Sequence, residues 1–292
     1  GNDIDDDGNG LTDDINGWNF YSGNNNVDDD NGHGTHVSGI IAARENGVGI
    51  TGIAPGTKVL SFKVLNANGI GFLGDAVLAL DVVREYKTRA EAPADIRAVN
   101  MSFGTTGGGA VFREFIDELG ALGIAVFAAS GNESQNNDMF PSFPANYESD
   151  NLVSVGSIDE NNSPSWFTNY GQASVNVYAY GGDIYSTYMG GGYATLSGTS
   201  MATPLALGCF LLGWSSDPSM NVYEALTKFH AGLEPTECAP LGRAHARKVV
   251  ATALPSQFAY RFREHLAFFS LPEHALASDV DRPGGTLVGR GL

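Results

Sequence analysis

Three short segments each couple a reactive side chain to glycines that let another chain come close. In "NGHGTHVSG", Asn31 to Gly39, His33 is flanked by Gly32 and Gly34 at the start of a helical pattern. Its imidazole is expected to project into a cleft, where it suits a general base. His36, one helical turn on, reads instead as a hydrogen-bonded packing residue. In "LSGTSMATP", Leu196 to Pro204, Ser200 opens a helix of small and apolar residues. The free N–H groups and dipole of a helix N-terminus favour negative charge developing on a nucleophile. Ser and Thr are also ordinary N-caps, so this segment gains its meaning from the histidine segment. In "AVFAASGNES" a buried strand ends at Gly131 and Asn132. A rigidly held Asn amide there can donate to the oxyanion of a tetrahedral intermediate.

The acidic start suggests a cation. In "DIDDDGNGLTDD", Asp5, Asp7, Asn9 and Asp13 occupy the first, third, fifth and ninth positions of a loop with Gly10 at the sixth. That is the oxygen-ligand register of a Ca²⁺ loop, although Asn16 stands where a bidentate twelfth ligand belongs. A solvated acidic loop is the competing reading. Crowded carboxylates repel unless a cation neutralises them, which favours calcium.

The elements that must position these residues follow from periodicity. Apolar runs at 58–65, 96–103, 124–129, 152–158 and 175–180 lack strict alternation and predict strands buried on both faces. Between them, 33–44, 73–89 and 109–122 carry apolar residues at helical spacing, and 199–214 and 220–231 predict two more helices. The βαβα order predicts a mostly parallel sheet with helices on both faces, a three-layer α/β fold. The main body is expected to span 1–240, with 241–292 as a C-terminal appendage holding short helices near 243–253 and 258–269.

Composition narrows the function. The 292 residues are 42% hydrophobic and 17% charged and include 38 Gly, a turn-rich globular chain. A formal net charge of -17 disfavours nucleic acid and anionic membranes as partners. Acid is concentrated at the start, while the residues from Lys228 onward hold half of the 16 Lys and Arg. Cys209 and Cys238 are too few for a disulfide framework and are expected to be buried thiols. No stretch has the roughly 18 apolar residues that a membrane span needs, and no signal peptide is visible at Gly1.

HGTH, SGN and GTSMATP, in this order, resemble the subtilase family of serine peptidases over about residues 1–230. The resemblance implies a subtilisin-like fold, His33 as base, Ser200 as nucleophile, and Asn132 with the Ser200 N–H as oxyanion donors. "NMSFG" and "NGIGFLG" resemble the two edges of the family's substrate groove. Ser102, Phe103 and Gly104 would then face Gly69, Ile70 and Gly71, with a peptide adding as a β-strand between them. Protein or peptide substrates, the protein's own pro-segment as a partner and an extracellular or secretory setting are implied likewise. The sequence departs from the family in lacking the hydrophobic strand ending in Asp-Thr-Gly or Asp-Ser-Gly before the histidine segment. That strand is expected upstream of Gly1, and the chain by itself is expected to have little activity. Leu205 replaces a usual His, and Ala179-Tyr180-Gly181 replaces Ala-Pro-Gly. The readings that compete with a peptidase are a peptide-binding pseudoprotease and a calcium-dependent structural or adhesion module.

Overall fold

The two central strands explain why their sequences do not alternate. In the computed structural model, which describes residues 2–6, 8–89, 95–235, 247–248 and 287–288, every residue of Ala125–Ala129 and Leu152–Ile158 is buried. A strand covered by helices on both faces has no polar side to display. The side chains still divide by face with period two. Ala125 and Phe127 join one apolar cluster, while Val126 and Ala128 join the other.

In chain order the elements are β1 (Gly17–Asn19), α1 (His33–Ala42), β2 (Ser61–Lys63), β3 (Ile70–Gly71), α2 (Leu73–Thr88), β4 (Ala98–Met101), α3 (Ala110–Ala121) and β5 (Ala125–Ala129). They continue as β6 (Leu152–Ile158), β7 (Val177–Tyr180), β8 (Ile184–Tyr188), β9 (Gly192–Leu196), α4 (Thr199–Ser215) and α5 (Val222–Ala231). Three short strands follow: β10 (Glu234–Pro235), β11 (Arg247–Lys248) and β12 (Leu287–Val288). The main sheet has the order β10-β11-β7-β6-β5-β4, with β4 to β7 parallel. Helices α1, α4 and α5 pack on one face through Ile40, Leu205, Phe210 and Phe229. Helices α2 and α3 cover the other through Leu80, Val83, Phe112 and Ile116. This is the expected three-layer α/β fold.

The five predicted helices form, with ends within two residues of expectation. An Asn221–Glu224 capping box fixes the start of α5. Two features escaped the sequence. The antiparallel hairpin β8–β9 follows a glycine turn in which Gly190 and Gly191 have φ of 72° and 78°, a conformation that costs glycine little. The helix expected over 243–253 is instead a strand at Arg247–Lys248, parallel to β7 at Tyr178 and antiparallel to β10. The remainder of that segment, the helix expected over 258–269 and Cys238 lie outside the described residues. Cys209 is a buried free thiol on α4, and burial pushes its pKa well up. Leu205, in place of a histidine, is simply core.

Candidate active site

Ser200 is the second residue of α4. The N-cap position belongs to Gly198 (φ 157°), so Ser200 is not spent as a cap. Asn132 lies against the same turn, its Oδ1 accepting from the Thr199 N–H (2.8 Å) and the Thr199 hydroxyl (3.0 Å). These bonds fix the orientation of the Asn132 amide beside Ser200. Ser102, at the end of β4, is tied to Ser200 twice. Its hydroxyl donates to the Ser200 carbonyl at 2.8 Å, and its own carbonyl accepts from Ser200 Oγ at 3.3 Å. The reason lies four residues along the helix. Pro204 has no N–H for the Ser200 carbonyl, and Ser102 Oγ, itself a hydrogen-bond acceptor for Asn100 Nδ2 at 2.9 Å, takes that place.

His33 is the first residue of α1, a helix whose N-cap, Gly32, has no side chain to offer. Asp29 does the capping from outside. Its carboxylate accepts from the N–H groups of Asn31, Gly32 and Thr35 and from the Thr35 hydroxyl. Burial pushes the Asp29 pKa up, but these bonds together hold it below the ordinary carboxylate value. His33 Nε2 is buried without a hydrogen-bond partner and so is not paired with Ser200 Oγ. Such looseness is common in unliganded sites. Burial, then neighbouring His36, push the imidazole down to about 4, with Asp29 pulling weakly the other way.

The hairpin β8–β9 anchors α1 and leads directly into α4. His36 Nε2 bonds to the carbonyls of Ile184 (2.9 Å) and Ala194 (3.1 Å). Three hydroxyls return the contact: Ser186 donates to the His36 carbonyl, Thr187 to Thr35 and Tyr188 to Asn31. Gly39 and Gly32 make the approach possible. A Cβ on Gly39 would stand 2.0 Å from Thr187 Oγ1, and one on Gly32 would run into the Tyr188 ring.

Of the residues expected in a groove, Gly69, Ser102 and Phe103 line one cleft with His33. Asn31 Nδ2 reaches across to the Ala67 carbonyl at 2.9 Å, which ties the loop before Gly69 to the histidine loop. Ile70 and Gly71 form β3, and Gly71 lies so close to Val64 that a Cβ would stand 2.0 Å from its carbonyl oxygen. Phe103 also packs against the core on the α2–α3 side. Gly104 stands beside the Thr105–Phe143 bridge, where a Cβ would meet Ser142 Oγ at 3.2 Å. The roles of Asp29, Tyr188 and Ser102 as braces were not read from sequence. Pro204, four residues after the nucleophile, was the available signal for Ser102.

In the acidic loop the described members of the expected ligand set turn side-chain oxygens to backbone N–H groups. Asp5 turns both oxygens to the N–H groups of Asn9 and Gly10, and Asn9 Oδ1 accepts from Leu11 N–H. Asp13 is occupied by the N–H groups of Asn2 and Asp3, and Asp7 lies outside the described residues. Among the described residues no group of three or more His, Cys, Asp or Glu side chains converges as a metal site.

The sequence matches the Subtilase family over residues 2–247. It is 37% identical over 205 residues to alkaline elastase YaB of Bacillus sp. (strain YaB), covering 70% of this chain and 50% of that protein. It is 36% identical over 208 residues to subtilisin DY of Bacillus licheniformis, covering 71% of this chain and 72% of the relative. The chain thus spans about half the length of one relative and most of the other. Among solved structures, a cold adapted subtilisin-like serine proteinase superposes with a TM-score of 0.68 at 26% identity, over 79% of this chain and 78% of that one. Sphericase gives 0.68 at 26% identity, over 78% and 81%. With a family match running from residue 2 to residue 247, which takes in the His33, Asn132 and Ser200 segments, the chain belongs to the Subtilase family.

Proposed function

We propose that the protein hydrolyses peptide bonds in protein substrates, with Ser200 as nucleophile, His33 as general base and then acid, and Asn132 with the Ser200 N–H as oxyanion donors. The observation that carries this reading is the turn at the head of α4. Thr199 N–H is held by Asn132 Oδ1, and the Met201 and Ala202 N–H groups by the Gly198 carbonyl. That leaves the Ser200 N–H as the remaining first-turn donor for an oxyanion at the serine. Rigid donors already aimed at the developing charge need no reorganisation during reaction. Moving the Ser200 Oγ proton from the Ser102 carbonyl to His33 Nε2 is the rearrangement that substrate binding must induce.

His33 also needs a carboxylate to fix its tautomer and stabilise its protonated form. We propose that this group arrives on a further strand seated between β4 and the β1–β2 pair. Among the described strands β4 ends the main sheet. The cleft beside it is lined by Val37, Ile41, Leu80, Val83 and Val99, the apolar walls a buried parallel strand requires. Substrate would lie as a strand between Gly69–Gly71 and Ser102–Gly104. An extracellular setting is supported by relatives such as the minor extracellular protease Epr of Bacillus subtilis. Among the described residues no helix is long and apolar enough to cross a membrane. The spacing of Asp5, Asp7, Asn9 and Asp13 is the sole support for calcium, and a chelator is expected to lower Tm by several degrees if the loop holds it. An unchanged Tm removes calcium from the account.

In the full-length protein a fluorophosphonate probe is expected to label Ser200, and the label to vanish in Ser200→Ala. A folded protein that takes no label would instead be a peptide-binding pseudoprotease.

A further inference from the structure

The groove edge that should receive substrate already carries a strand. β12, Leu287–Val288, pairs antiparallel with β3, Leu287 opposite Gly71 and Val288 opposite Ile70. On its other side β3 is closed by its own hairpin, through the Leu65–Gly71 bridge and the bond from Asn66 N–H to the Ile70 carbonyl. The edge taken by β12 is therefore the one free edge β3 has to offer. We infer that the C-terminal segment around Leu287–Val288 acts as an intramolecular pseudosubstrate, a strand that competes with peptide substrates for Ile70–Gly71. The inference rests on the reading of β3 as a substrate edge.

Direction, composition and reach agree with this role. In the antiparallel sense, moving up the tail from Leu287 to Val288 moves down β3 from Gly71 to Ile70. Continued down the groove loop, that direction leads to Ala67, whose carbonyl is bonded to Asn31, two residues from His33. The sequence "GGTLVGRGL" supplies a β-branched and aliphatic core, Thr286 to Val288, between glycines. Arg282 and Arg290 flank that core, on a chain of net charge -17, so the body attracts the segment. The roughly 40 residues between β11 and β12 span well over 100 Å when extended, which leaves the pairing free of tether strain. Being part of the same chain, the segment meets the groove as an intramolecular partner that a free peptide substrate must outcompete.

The test compares the full chain with Leu287→Pro/Val288→Pro, since proline removes the N–H a ladder needs. Amide hydrogen exchange at Gly71, the residue opposite Leu287, is expected to be at least about tenfold slower in the parent chain, and a synthetic peptide of residues 283–292 added to the variant is expected to restore protection. If the peptidase reading also holds, the variant has a KM for a peptide substrate roughly three- to tenfold lower with kcat unchanged, because less of the parent is in the competent state. Equal exchange in the two chains overturns the docking. Slower exchange in the parent together with an equal KM for peptide substrate in parent and variant overturns the competition. Failure of Ser200 to react with fluorophosphonate in the full-length protein, with and without the two prolines, counts against the peptidase reading alone, and exchange still decides the docking.

Discussion

At Ser200 the chemistry depends on a carbonyl as much as on a hydroxyl. A proline in the second turn of α4 orphans the Ser200 C=O, and in a buried turn an orphaned carbonyl costs about 1–3 kcal/mol. Ser102 Oγ satisfies it at 2.8 Å, which also fastens the end of β4 to the head of α4. Ser102→Ala is therefore expected to destabilise the fold by about 1–3 kcal/mol in urea denaturation. Pro204→Ala gives the helix back its N–H donor, so the loss in Ser102→Ala/Pro204→Ala should be smaller than the sum of the single losses. Strict additivity in that cycle would remove the compensation from the account. Sequence showed Ser102 as a groove residue. Its link to Ser200, 98 positions away, follows from packing.

Among the elements, the β8–β9 hairpin decides where His33 stands. It grips α1 through His36, Ser186, Thr187 and Tyr188 and runs on into the nucleophile turn, so His33 and Ser200 are referenced to one brace. Gly39 is the contact point. Gly39→Ala would thrust a methyl into Thr187 Oγ1 and break its bond to the Thr35 carbonyl, at an expected cost of about 1–3 kcal/mol. Part of that loss should return in Gly39→Ala/Thr187→Ala, measured by urea midpoints, and no recovery would place the clash elsewhere. This hairpin was invisible in the sequence because "DIYSTY" and "GYATLSG" mix polar and apolar residues without a clean period of two. Ser186, Thr187 and Tyr188 turn their hydroxyls to α1 and the loop before it rather than to water, which defeats a pattern based on burial.

For the whole molecule, the buried histidines set the acid limit. Folding holds His33 down to about 4 from an ordinary value near 6.5, and His36 is lowered as well, in both cases first by burial. Between those pH values the unfolded chain binds a proton that the folded chain refuses, so stability rises with pH through the window and is lost as pH falls from about 6.5 toward about 4. Asp29, lowered in the fold, adds a loss at still lower pH as its carboxylate protonates. Urea midpoints should fall steadily from pH 7 to pH 4.5, with a shallower fall in His33→Gln. A flat profile across that range would mean that the histidines are not buried neutral in solution.

The sequence by itself determined the layers. The apolar runs at 124–129 and 152–158 became strands covered on both faces, and the helical spacing between the runs placed the helices that cover them. The tertiary structure decided what binds them into a unit. Capping of α1 by Asp29, the Ser102 brace and the hairpin clamp all join residues far apart in the chain through ordinary Ser, Thr, Tyr and Asp side chains, whose local sequence says only that they are polar. The acidic loop shows the reverse. Ligand spacing is local and legible, but whether carboxylates face a cation or their own backbone N–H groups depends on how the loop closes. The pairing of Leu287–Val288 with Ile70–Gly71 is the most non-local contact of all, because a strand edge accepts any extended segment with backbone donors and acceptors to offer.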